Sequence, residues 1–124
     1  MNLVVMAEEE ERLKERRKAP RFRAHGDVTL TLECGTNCKG SLKDVSRIGA
    51  FVALDKVNDE WAYQTARLDM ISQVDGEELE IEGRCAVVRV TPKGVGIHIF
   101  DIDVPSRKSF VKFTGFVQQP ENAI

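Results

Sequence analysis

The pattern that most narrows the fold is apolar–polar alternation, renewed along the chain and broken each time by turn residues. Val28, Leu30, Leu32 and Cys34 alternate with Thr29, Thr31 and Glu33. This is a half-buried strand, because successive side chains of an extended chain point to opposite faces. Gly35-Thr36-Asn37 reads as the turn that ends it. A second strand is expected over about Cys38–Val45 and a third over about Ala50–Leu54. The third is apolar on both faces, which predicts cover on both sides. Lys56–Thr65, with Trp61 and Tyr63, predicts a loop with a short helical turn.

Ala66, Leu68 and Met70 alternate with Arg67 and Asp69 to give a fourth strand. Asp75-Gly76 then supplies two residues that tolerate positive φ, the requirement of a type I′ hairpin. A fifth strand is expected over about Glu78–Val90. Its apolar positions switch from odd (Leu79, Ile81, Cys85, Val87) to even (Val88, Val90), so a bulge or bend is expected near Ala86–Val88. Thr91-Pro92-Lys93-Gly94 is a turn, and Val95, Ile97 and Ile99 mark a sixth strand. Pro105-Ser106 opens a final helix to about Gln118, with Phe110, Phe113 and Val117 in an i, i+3, i+7 stripe flanked by Val111 and Phe116. Short turns between strands and one closing amphipathic helix predict a mainly β protein: a six-stranded antiparallel β-barrel with a C-terminal α-helix.

A chain of 124 residues suits one domain. With 42% hydrophobic and 31% charged residues it has the composition of an ordinary globular protein, which excludes wholesale disorder. The net charge of −2 argues against a dedicated nucleic-acid binder. The charge is uneven, however. An acidic run, Glu8–Glu11, is followed at once by Arg12, Lys14, Arg16, Arg17, Lys18, Arg21 and Arg23. Met6–Lys18 lacks proline and carries Glu8–Arg12 and Glu10–Lys14 at i,i+4 spacing, which predicts a solvated, partly flexible helical segment that Pro20 ends. Cys34, Cys38 and Cys85 form an odd set without a Cys-x-x-Cys pair, so they read as small apolar strand residues in a reducing compartment. The start lacks a basic, long apolar leader and no run reaches transmembrane length, so a cytoplasmic location is expected.

Two short motifs carry chemistry. Arg17-x-x-x-Arg21 precedes the first strand, and Asp44-x-Ser46-x-x-Gly49 lies between the second and third. The planar fork of arginine donates paired hydrogen bonds to a phosphate or to guanine O6 and N7, and it also stacks on a base. Arg16 is a third candidate contact. Asp44 can accept from a guanine N–H or orient an arginine, and the Ser46 hydroxyl can bond a phosphate, a base or the local turn. Gly49 permits a tight turn and close backbone approach. Either motif alone is a common pattern, since basic helix ends produce the first and turn residues the second. Nothing in the chain assembles a nucleophile–base–orienter set, a paired carboxylate site or a phosphate-cradling loop before a helix, so no enzyme is expected.

In order and spacing these motifs resemble those of the PilZ family of cyclic di-GMP receptors. The likeness extends to Gly83–Val90, to Gly94–Ile99 and to the closing helix, and covers roughly Glu15–Gln118. The resemblance implies a PilZ domain over residues 15–118, between a charged extension (1–14) and a C-terminal tail (119–124). It also implies cyclic di-GMP bound on the barrel's outer surface by Arg17, Arg21, Asp44, Ser46 and Gly49; Arg16 joins them as the further candidate contact, and no metal or other cofactor is expected. His25, just after the arginines, would be a rim contact, and His98 is assigned no role. The function expected is a receptor that orders its arginine-rich arm on the ligand and passes the signal to a protein effector. The alternative is a ligand-independent adaptor of the same fold.

Overall fold

The computed structural model describes residues 20–47 and 49–124. Strands β1 (Arg21–Leu32), β2 (Asn37–Ser46), β3 (Ala50–Ala53), β4 (Thr65–Val74), β5 (Glu77–Thr91) and β6 (Gly94–Ile102) close an antiparallel barrel in the order β1-β2-β3-β6-β5-β4. One helix, α1 (Arg107–Val117), follows. This is the fold class read from the sequence.

The alternating apolar sets become the barrel interior. Val28, Leu30 and Leu32 of β1, Ala66, Leu68 and Met70 of β4, Leu79, Ile81, Cys85 and Val87 of β5, and Val95 and Ile97 of β6 are all buried. Each large aliphatic side chain removed from water contributes about 1.5–3 kcal/mol. The β4–β5 hairpin turns through Asp75 and Gly76 at φ 51° and 79°, the geometry those residues predict. A short 3-10 turn at Asp59–Trp61 occupies the loop between β3 and β4, as expected there.

Two local readings need correction. Cys34 is exposed and lies beyond β1, which ends at Leu32. The Gly35 N–H donates to the Leu32 carbonyl at 2.8 Å with Gly35 at φ 93°, so the chain has turned before Cys34 can reach the interior. The expectation that β3 is covered on both sides also fails. Ala50 and Val52 are buried, whereas Phe51 and Ala53 are only half-buried, because the outer face of this strand floors an open groove.

Of the register shifts in the barrel, which include one between Arg23 and Gly26 and one between Arg84 and Cys85, two set the outward face of β2 and β5. Between β2 and β3 the pairing moves from Leu42↔Val52 to Asp44↔Phe51, leaving Lys43 as the extra residue. Between β5 and β6 it moves from Val87↔Ile97 to Arg89↔Gly96, leaving Val88 extra, within the stretch where the apolar phase switches. An extra residue reverses the in–out parity of everything beyond it.

Helix α1 packs against β1, β4 and β5. Phe113 and Val117 are buried, Phe110 and Phe116 are partly buried, and Val111 stays exposed. A cavity of about 80 Å³ remains between helix and barrel, bordered by Phe110 and Phe113 on one side and Val28, Leu68 and Ile81 on the other. The lead-in to the helix is fixed by the Arg67 guanidinium on the Asp103 carboxylate (Nη1 to Oδ1 3.2 Å, with a second contact through Nη2). The Glu82 N–H also donates to the Ser106 hydroxyl at 2.9 Å. No described helix is long and apolar enough to cross a membrane.

Candidate functional site

Reading register across the sheet reveals how the site is built. One row runs Arg23 (β1), Asp44 (β2), Phe51 (β3), Gly96 (β6), Arg89 (β5), each directly opposite the next. The shifts at Lys43 and Val88 place Asp44 and Arg89 on this outer row. The neighbouring row, Phe22, Val45, Ala50, Ile97, Val87, points inward, with Ala50, Ile97 and Val87 buried and Phe22 and Val45 packed on the core. Beyond it, Arg21 pairs with Ser46 on one side of the sheet and His98 pairs with Ala86 on the other.

These outward rows enclose an open groove of about 460 Å³ lined by Arg21, Asp44, Ser46, Gly49, Phe51, Val88, Arg89, Gly96 and His98. Asp44, Ser46 and Gly49 are half-buried at its wall and Arg21 stands exposed at its lip. The Ser46–Gly49 turn is closed by the Ser46 N–H donating to the Gly49 carbonyl at 2.8 Å. A Cβ on Gly49 would lie 2.2 Å from the Ile97 carbonyl oxygen, so the close approach this glycine permits is to β6 itself. Gly96 separates Phe51 from Arg89 in the row, and across it the Arg89 guanidinium carbon lies 5.8 Å from the Phe51 ring centroid. That is cation–π range. Arg21, Asp44 and Arg89 form no ion pair with another described residue. Their charges face the groove and not one another.

Of the residues singled out from the sequence, Arg21, Asp44, Ser46 and Gly49 converge on this groove, while Arg16 and Arg17 lie outside the described residues. The predicted helical arm at Met6–Lys18 lies outside them too. His25 is not at this rim. It borders a separate hollow with Asp27, Lys43 and Glu78. Sequence reading missed Phe51, Arg89 and His98. The signals for Arg89 and His98 were present, since a bulge at Val88 turns Arg89 outward and the inward set Val95, Ile97 and Ile99 leaves His98 on the outer face; only the strand pairing brings them to one groove. Among the described residues no group of three or more His, Cys, Asp or Glu side chains is disposed to hold a metal ion.

The family profile for the PilZ domain matches residues 15–116, most of the chain. The chain belongs to the PilZ domain family. PilZ domains are cyclic di-GMP-binding modules, so in general terms this one is a receptor or adaptor, and the match spans the barrel and nearly all of α1. No curated protein matches the chain closely enough to count as a relative.

Proposed function

We propose that this PilZ domain binds cyclic di-GMP in the outer groove, through Arg16, Arg17 and Arg21 from one side and Asp44, Ser46 and Gly49 from the other. The observation that carries the reading is convergence: the parity shift at Lys43 turns Asp44 and Ser46 toward the same groove that Arg21 borders. Arg21 donates to a phosphate or to the O6/N7 edge of guanine. The Asp44 carboxylate accepts from the guanine N–H donors, and the Ser46 hydroxyl bonds phosphate or base. Arg89, spread over the Phe51 ring, presents a flat cationic surface on which a base stacks.

The arm that closes over the ligand is the stretch from Arg12 to Pro20 and not to Arg23 as the sequence suggests, since Arg21–Arg23 are already paired in β1 with Ser46, Val45 and Asp44. Its charge-assisted contacts offset the entropy of ordering. The surface shared by arm and barrel is then read by a protein effector. Calorimetric titration with cyclic di-GMP tests the site, with GTP, cyclic di-AMP and an Arg21→Ala variant as controls. Saturable binding specific to cyclic di-GMP, weakened about 10- to 100-fold in the variant, supports the reading. Absence of heat and of thermal stabilisation at high ligand concentration overturns it in favour of a ligand-independent adaptor.

A further inference from the structure

Arg21 is held on both sides. On one side it pairs with Ser46. On the other, where β1 has not yet met β4 (their pairing begins at Asp27), residues 120–124 occupy the edge. Ala123 forms an antiparallel bridge with Phe22, and the Ile124 N–H donates to the Arg21 carbonyl at 3.0 Å. This short segment is itself tied to the end of α1. The Asn122 side-chain amide donates to the Phe116 carbonyl at 3.2 Å, and the Ala123 N–H to Pro120 at 3.1 Å.

We infer that residues 120–124 are a strap that positions Arg21 at the lip of the groove, so that ligand affinity depends on a contact made on the opposite side of β1 from the ligand. This rests on the ligand reading above. An arginine that must present its fork to a phosphate or base edge is sensitive to where its backbone is held, because small misplacements degrade bidentate geometry. Without the strap, Arg21 and Phe22 are paired on one side only and fray like any strand end.

Ile124→Pro removes the one N–H donated to Arg21 and alters little else, since Ala123 already has φ −63° and ψ 136°, the extended geometry a following proline favours. The expected results are an unchanged melting temperature, amide exchange at Phe22 and Arg23 accelerated at least severalfold, and cyclic di-GMP affinity about fivefold weaker. In an Arg21→Ala background, measured at raised ligand concentration, the same proline has no further effect on affinity. Asn122→Ala, which releases the strap from α1, reproduces the loss. Wild-type affinity in Ile124→Pro, tighter binding, or an undiminished loss in the Arg21→Ala background would each overturn the inference. If the wild-type protein does not bind cyclic di-GMP, the ligand reading fails by itself. The exchange of ligand-free Phe22 and Arg23 still decides the strap, and rates unchanged by the proline refute it.

Discussion

Phe51 and Arg89 sit on strands that do not pair with each other, yet the guanidinium carbon lies 5.8 Å from the ring centroid because the residue between them on β6 is Gly96. A side chain there would stand between ring and cation. Arg89→Ala is expected to lower cyclic di-GMP affinity about tenfold with little change in stability, because stacking of a base on such a surface contributes about 1–3 kcal/mol. Arg89→Lys should recover only a small part, since an ammonium has no plane to stack. Equal affinities in calorimetry for wild type and Arg89→Ala would remove Arg89 from the site.

Gly49→Ala separates turn geometry from ligand contact. Its Cβ would come 2.2 Å from the Ile97 carbonyl oxygen, a backbone atom that cannot swing aside. The β2–β3 turn must shift, at a cost of about 1–3 kcal/mol. Urea unfolding should register that loss, and ligand binding should fall in parallel as Ser46 moves. A fully stable Gly49→Ala protein would contradict the close packing of turn against β6.

Phe113 is one of the two α1 side chains, with Val117, buried against the barrel, and it is 2% exposed. Phe113→Ala enlarges a cavity already present there and is expected to cost about 3–5 kcal/mol. Chemical denaturation measures this directly. Val111→Ala, on the exposed side of the same helix, should fall within about 0.5 kcal/mol of wild type.

The cysteines give a pH prediction with a definite sign. Burial pushes the Cys85 thiol up to about 12. Its neutral form is the one the fold accommodates, so the unfolded chain loses this proton first. The stabilisation is complete below the ordinary thiol range and disappears as pH rises from there toward about 12, with a slope of about 1.4 kcal/mol per pH unit. Cys85→Ala should lack this component of alkaline destabilisation. The Cys34 thiol is shifted the other way by its hydrogen bond to the Thr36 hydroxyl, and it is exposed. A disulfide-exchange reagent should therefore label Cys34 rapidly in the native protein, and Cys38 and Cys85 only on unfolding.

Much of this molecule was legible in the chain because strand parity is local. Each apolar set from Val28 to Ile97 names its own inward face, and Asp75-Gly76 fixes the register of β4 against β5 without outside help. The phase switch at Val88 was equally visible, being written in apolar residues on both sides of it. The shift at Lys43 was much fainter. Its trace is a single apolar residue, Val45, three positions after Leu42, too little to set parity by itself, and pairing with β1 and β3 is what shows that Asp44 and Ser46 face outward. The alliance of Phe51 with Arg89, and the bridge from Ala123 to Phe22, join residues far apart in sequence. Such contacts depend on which strands close the barrel, and no window along the chain contains that information.

The two interleaved rows have a consequence for how such a protein changes over time. In the proposed site recognition falls to Asp44, Phe51 and Arg89 on the outer row, whereas Ala50, Ile97 and Val87 on the neighbouring row are buried in the core. A lineage can therefore discard its ligand while its barrel stays as robust as before. Where the change falls on the outer row and spares Gly49, melting behaviour would leave no trace of the loss, and only the outward-facing positions would record that the domain had fallen silent.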